Sequence, residues 1–163
     1  MRILALDQSS EKTGWAKYLD GILLESGVID LHTNKDSNAR LIAMGKEIGL
    51  LIQSFLPDMV SAEDVSLQNP NVKTVVMLAR LQGMIMAAAS LDGKQIPVIF
   101  YVPSQWRKSV GIQTGKGIKR ADLKRASKEL VLKEYGISVS DDIADAILIG
   151  RCAVHAEQES KER

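Results

Sequence analysis

Four carboxylates have the types and the spacing to do chemistry, because each lies where an apolar run ends or begins. Asp7 and Glu63 each close a short apolar run, and Asp142 and Asp145 lie three residues apart at the start of an apolar, alanine-rich segment. Buried acids cost solvation free energy unless a cation compensates them, and hard oxygen ligands suit Mg²⁺ or Mn²⁺. If the fold brings the four acids together, they predict a divalent-metal site and metal-assisted phosphoryl chemistry.

The pair Asp142 and Asp145 also has a purely structural interpretation. Acids in the first turn of a helix stabilise it through the helix dipole, and an acid such as Asp7 also suits a turn at a strand end. Residues three apart share a helix face, and the apolar residues around the pair place it beside a core. Asp141 and Asp145 share a face as well, so the sequence leaves open whether Asp141 replaces Asp142 as a ligand.

The elements that must position these acids follow from hydrophobic periodicity. Apolar runs predict strands at 2–7, 14–19, 22–29, 59–62 and 96–102, with a hairpin turn at Asp20-Gly21. Helical spacing predicts helices at 37–55, 72–91, 104–110 and 119–135, and a last helix from a cap at Ser140 to about Glu157. This order predicts an α/β fold, a mixed five-stranded sheet with helices on both faces. Its first and fourth strands are parallel neighbours, so Asp7 and Glu63 should emerge side by side.

Composition bounds the class of protein. The 163 residues suit one domain, predicted at 1–157, followed by a frayed tail at 158–163. One cysteine, Cys152, cannot form an internal disulfide and favours a reducing, cytoplasmic setting, and no histidines or cysteines have zinc spacing. The longest apolar stretch, around 84–89, is too short for a bilayer, so no membrane partner is predicted.

The charge is unevenly distributed along the chain, although the net charge is only +1. Between Pro103 and Tyr135 there are nine basic residues against three acids, a local charge of +6. A basic segment of this kind, next to a cluster of acids, suits a protein that holds metal ions beside a polyanion. A solvated helix face is the alternative interpretation.

The chain contains, in this order, the segments ILALDQSSEKTGWA, SAEDVSLQNP and SDDIADAILIG. With their separations, they resemble the RuvC family of Holliday-junction resolvases, in its phage-like branch. The resemblance spans essentially the whole chain and implies a single RNase H-like nuclease domain. It implies that Asp7, Glu63, Asp142 and Asp145 are catalytic and hold two Mg²⁺ or Mn²⁺ ions. The first segment alone is weak evidence for the family, because similar motifs occur at the start of actin-like and sugar-kinase ATPases.

The basic block VPSQWRKSVGIQTGKGIK is similar to the family's segment that contacts DNA and supports catalysis. It implies DNA contacts through Arg107, Lys108, Lys116, Lys119 and Arg120. Lys116 or Lys119 would act as a catalytic cation at the scissile phosphate, and the sequence does not choose between them. Many members carry an aromatic residue three positions after the catalytic Glu, where this chain has Ser66. Two interpretations of Trp106 stay open: it replaces that aromatic residue, or, as is more common for a lone Trp beside Pro103, it is a packing residue.

The implied function is a metal-dependent endonuclease that cuts Holliday junctions or other branched DNA symmetrically, leaving 5′-phosphate ends. It would act in the cytoplasm of a bacterium or of a phage-infected host. Symmetric cuts imply a homodimer through helix 72–91, whose Ala/Gly/Met face permits close isologous contact, unless that face packs on its own sheet. The alternatives are a YqgF-type nuclease acting on RNA, a non-catalytic junction-binding protein and an actin-like nucleotide-binding module. The last needs two such halves, and the chain supplies one.

Overall fold

The computed structural model describes residues 1–66, 71–90, 93 and 95–162. In chain order its elements are β1 (Arg2–Asp7), β2 (Lys12–Leu19), β3 (Ile22–Asp30), α1 (Ser37–Phe55), β4 (Met59–Glu63), α2 (Val72–Ala89), β5 (Val98–Tyr101), α3 (Pro103–Ser109), α4 (Arg120–Tyr135) and α5 (Asp141–Lys161). The strands form one mixed sheet in the order β3-β2-β1-β4-β5. The predicted α/β fold is therefore confirmed.

The sheet brings two of the four acids to the same edge. β1 pairs in parallel with β4, with Leu6 opposite Ala62, so Asp7 and Glu63 both follow at the carboxyl ends of neighbouring strands. The hairpin between β2 and β3 turns at Asp20 and Gly21, both with positive φ, as the Asp-Gly signal predicted. The prediction that the first and fourth strands are parallel neighbours is confirmed.

Helices cover both faces of the sheet. One core, built around Tyr18, Trp106 and Ile147, packs α3, α4 and α5 against one face. The other core, around Leu4, Ile48 and Leu81, packs α1 and α2 against the opposite face. β1 alternates between them, because successive side chains of a strand point to opposite faces.

Helix α5 approaches the sheet closely because small residues line the contact. A Cβ added to Gly14 would overlap the backbone carbonyl of Asp142, and one added to Gly150 would overlap the Tyr18 ring. The Tyr18 hydroxyl donates to the Ile147 carbonyl at 2.8 Å and fixes the register of the helix. The start of α5, with its acids, is thereby held over the end of β1.

Helix α2 is apolar enough, by length and composition alone, to cross a membrane, although only 17% of it is buried in the structure. The prediction that the apolar stretch is too short for a bilayer was therefore wrong, because the whole helix is longer than its longest uninterrupted apolar run. The indication itself is weak, since core helices pass the same test. Leu81 and Ile85 of α2 are buried in the core, and Met84 packs over Gly45 of α1, where a Cβ would overlap its thioether.

Some boundaries differ from the predicted ones. β2 begins at Lys12, earlier than predicted, and β5 covers only 98–101 of the predicted 96–102. Helix α5 continues to Lys161, so the segment predicted to be frayed is helical up to that residue. The added residues include glutamine, glutamate and lysine, which are good helix formers and explain the extra turn. The predicted end of α2 at residue 91 lies outside the described residues, as does residue 163.

We expect Gly14→Ala to lower the free energy of unfolding by about 3 kcal/mol or more, because a backbone carbonyl cannot move aside as a flexible side chain can. Urea unfolding followed by circular dichroism measures this effect. Gly49→Ala in α1 is the matched control, since its Cβ would meet only the Ala88 methyl group at 3.8 Å. That control should be stabilised by roughly 0.5–1 kcal/mol. Equal stability of the Gly14→Ala and wild-type proteins would contradict the close packing of α5.

Candidate metal centre

The four acids line one cleft, with a volume of about 420 Å³, at the carboxyl edge of the sheet. Asp7 and Glu63 come from the ends of β1 and β4, while Asp142 and Asp145 come from the first turns of α5. Thr74 and Leu78 of α2 form part of the wall. The structure thus brings together acids that are up to 138 residues apart in the sequence.

Glu63 is positioned through its backbone from two sides. Its carbonyl oxygen accepts a hydrogen bond from Gln8 Nε2 at 2.9 Å and a longer one from Gln82 Nε2 of α2 at 3.4 Å. Gln82 Nε2 also lies 3.3 Å from Asp64 Oδ1. The end of β4 is therefore tied both to the end of β1 and to α2.

The Glu63 carboxylate is contacted by two neighbouring residues of α3. The Trp106 indole N–H donates to Glu63 Oε2 at 2.8 Å. Arg107 Nη2 lies 3.7 Å from the same oxygen and 3.5 Å from Asp145 Oδ2, so one guanidinium bridges two of the acids. Arg107, predicted to be a DNA contact, therefore also balances charge within the acidic cluster.

The electrostatics show that the acids act on one another. Burial raises the pKa of Asp7 well above its usual value, and the charges of Asp145, Glu63 and Asp142 raise it further, while Arg107 lowers it. Burial also raises the pKa values of Glu63 and Asp145, and the positive charge of Arg107 lowers both of them. The charge of Arg107 therefore offsets only part of the cost of ionising these acids.

Asp141 has a different environment from Asp142. Its carboxylate pairs with Lys124 at 2.9 Å and with Lys128 at 3.2 Å, both on α4. The hydrogen bond from Lys124 is the main cause that lowers the pKa of Asp141. Because both lysines pair with the Asp141 carboxylate, Asp142 is the one of these two aspartates that is available to an ion.

The donor set fits a hard divalent cation. All four side chains offer carboxylate oxygens, and Asp145 Oδ1 is buried without a hydrogen-bond partner. Among the described residues, no three such groups yet converge on one point, since Arg107 stands between Glu63 and Asp145. Arg107 therefore supplies part of the positive charge that a bound ion would supply to Glu63 and Asp145.

The predicted basic residues divide between two places. Arg107 and Arg120 line the acidic cleft, together with Lys124, which was not among the predicted DNA contacts. Lys108 and Lys116 line a second, more open pocket formed by the loop 111–118. Lys119 precedes α4, where its backbone N–H donates to Asp122 Oδ2. Neither Lys116 nor Lys119 lines the acidic cleft.

One protein family matches nearly the whole chain. Residues 3–153 match the model of the family described as crossover junction endodeoxyribonuclease RuvC. The chain belongs to that family. The resemblance stated from the three sequence segments is therefore confirmed, and the mutually interacting acids lie in a chain of the expected family.

Relatives of the RuvC family cover the chain almost completely. A crossover junction endodeoxyribonuclease RuvC of Syntrophomonas wolfei is 28% identical, with 96% of this chain and 90% of that protein aligned. A second RuvC, from Borrelia turicatae, is also 28% identical, with 93% of this chain and 94% of that protein aligned. The phage-like branch stays a prediction.

Two solved structures share the fold. Thermus thermophilus RuvC in complex with a Holliday junction substrate superimposes with a TM-score of 0.74 at 17% identity, covering 97% of this chain and 96% of that one. Fowlpox virus resolvase, in complex with Holliday junction DNA, gives a TM-score of 0.61 at 15% identity, covering 96% and 99%. Both similarities support the RNase H-like fold.

The raised pKa values have a consequence for stability that Asp7→Asn can test. The folded protein keeps protons that the unfolded chain has lost, so stability falls as pH rises from the usual carboxylate range towards the raised values. Asp7→Asn removes the most affected acid and should stabilise the metal-free protein at neutral pH by on the order of 1 kcal/mol. Urea unfolding near pH 7.5 and near pH 4.5 measures the gain, which should shrink at the lower pH.

The exposed acid Glu47 on α1 provides the control for this experiment. Glu47→Gln should leave stability within about 0.5 kcal/mol of the wild type at both pH values. If Asp7→Asn destabilised the protein at neutral pH, the repulsion between the acids would be refuted.

Proposed function

We propose that the protein is a divalent-metal-dependent DNA endonuclease that cleaves four-way junctions and related branched DNA. The observation that carries the proposal is the electrostatic coupling of Asp7 to Glu63, Asp142 and Asp145 within one cleft. Membership of the crossover junction endodeoxyribonuclease family supports the substrate class. Action in the cytoplasm of a bacterium or a phage-infected cell remains a prediction.

Asp7, Glu63, Asp142 and Asp145 would hold two Mg²⁺ or Mn²⁺ ions. When bound there, the ions supply an activated water molecule and stabilise the departing 3′ oxygen, which leaves a 5′-phosphate. Asp7, which is coupled to the other three acids, is the candidate to hold both ions. Arg107, which lines the same cleft, would also be placed to contact a phosphate of the DNA.

The basic surface next to the cleft supplies affinity for DNA. Arg120 and Lys124 line the cleft beside the acids, and Lys108 and Lys116 line the neighbouring pocket. Lysine and arginine contacts to phosphates position a duplex without reading its sequence. Arg120, because it lines the acidic cleft, is a stronger candidate for the scissile phosphate than Lys116 or Lys119.

A homodimer through α2 would supply the second cut. The outer side of the helix carries exposed apolar and small residues with alternating spacings of four and three, namely Val72, Val76, Ala79, Gly83 and Met86. This is the spacing with which two helices pack along a seam, and small residues permit close approach. The inner side packs on its own core through Leu81 and Ile85, which leaves the outer side for the proposed dimer contact.

We expect Asp7→Asn to bind a labelled four-way junction like the wild type but to lose cleavage by about a thousandfold or more, because one acid of the metal site is neutralised. Electrophoretic binding and cleavage assays, with and without Mg²⁺, measure both properties. Asp141→Asn is the matched control and should retain cleavage, since lysines already neutralise Asp141.

The choice of substrate decides between the candidate functions. Linear duplex should be cut poorly, and structured RNA should not compete. Metal-dependent cleavage by clean Asp7→Asn protein would reject the site, whereas preferential cleavage of structured RNA would favour the RNA-nuclease alternative. Binding without cleavage by the wild type would favour a junction-binding protein.

We expect Ala79→Glu to convert the dimer to a monomer, because it places a charge in the middle of the apolar seam of α2. Size-exclusion chromatography with light scattering measures the mass. Ile22→Glu on β3 is the control, since Ile22 is 67% exposed and lies at the opposite edge of the sheet. A wild-type protein that stays monomeric at high concentration would contradict dimerisation through this helix.

A further inference from the structure

The contact between Trp106 and Glu63 has a consequence that the proposed function does not require. Trp106 is completely buried in the core beneath the cleft. Its only polar atom donates to Glu63 Oε2 at 2.8 Å, so the indole N–H is satisfied by a carboxylate rather than by a backbone carbonyl. A buried tryptophan needs a partner for its N–H, but that partner does not have to be an acid of the functional site.

The backbone makes this contact rigid. Glu63 pairs with Tyr101 across the parallel strands β4 and β5, and α3 begins two residues later at Pro103. Helix α3 therefore places Trp106 directly beside the end of β4. The Arg107 guanidinium lies 4.3 Å from the centroid of the Trp106 ring, which adds a cation–π contact above the buried indole.

The two oxygens of Glu63 consequently differ. Oε2 receives the Trp106 hydrogen bond and lies nearest to Arg107, whereas Oε1 has no hydrogen bond among the residues that the structure describes. Glu63 is thus prepared to offer one oxygen to an ion. Carboxylates bind Ca²⁺ with one or both oxygens in sites of six to eight ligands, while Mg²⁺ requires compact octahedral coordination.

We propose that Trp106 is a positioning residue that limits Glu63 to one-oxygen coordination and thereby makes the cleft select Mg²⁺ over Ca²⁺. The inference rests on the proposed metal site and adds its cation selectivity. Trp106 would not contact the ion, and its effect would pass entirely through Glu63 Oε2.

Trp106→Phe removes the N–H and keeps most of the packing volume. Mg²⁺ and Ca²⁺ are titrated into full-length, DNA-free protein, and the backbone amide signals of Gln8 and Glu63 in nitrogen–proton correlation spectra report binding at the cleft. The ratio of the Ca²⁺ to the Mg²⁺ dissociation constant should fall by roughly threefold or more, a fraction of the effect of a hydrogen bond to a charged group.

Two comparisons separate selectivity from damage to the fold. Trp15→Phe is the matched control, because Trp15 is the other tryptophan and packs with the opposite core, with Lys17 over its ring. It should leave the ratio unchanged. If Trp106→Phe does not fold, benzothienylalanine at position 106 keeps the two-ring shape and replaces the N–H with sulfur. In the wild type, the Trp106 indole signal should stay protected from exchange with water when Mg²⁺ is added.

Each outcome has a distinct meaning. A lowered ratio in the position-106 variants alone supports the inference. An equal weakening of both ions overturns it, since Trp106 would then only hold Glu63 in place, and unchanged affinities overturn it as well. If the wild type binds neither ion at the cleft, the proposed metal site fails and the selectivity fails with it.

Discussion

The burial of several mutually repelling acids in one cleft is the constraint on which the arrangement of this protein depends. Asp7, Glu63 and Asp145 all have raised pKa values in the absence of a metal ion, and Arg107 offsets only part of this cost. The rest of the fold must hold the acids together against that repulsion. It does so with rigid parts: two parallel strands that end at the same edge, and a helix pressed so closely on them that only glycine fits at position 14.

Much of the fold was predictable because its signals are local. Alternating and continuous apolar runs marked the strands, and the Asp-Gly turn fixed the first hairpin. The parallel pairing of β1 with β4 followed from general rules of sheet connection rather than from any single residue. Helix ends were less certain: α5 continues to Lys161 because its last turns contain helix-forming residues without a stop signal.

The acids were predictable from the sequence for the same reason, since each occupies a strand end or a helix start. Their partners were not. The packing interpretation of Trp106 agrees with its burial, but the direction of its N–H depends on the pairing of β4 with β5. Gln8 and Lys124 line the cleft because of the tertiary fold, and no periodic pattern in the sequence indicates that position. The basic block was visible, yet spacing alone did not separate Arg107 and Arg120 at the acids from Lys108 and Lys116 in the adjoining pocket.

The inner side of helix α2 serves both the cleft and the core, while its outer side is exposed. Thr74 and Leu78 line the cleft, Leu81 and Ile85 fill the core, and Gln82 reaches back to Glu63, while Val76 and Ala79 face outward. With 3.6 residues per turn, the positions of this inner side recur along the whole helix and leave little room there for neutral sequence drift. Change on the inner side of α2 should therefore be slow in evolution, and it should come as compensated pairs of substitutions rather than as single ones.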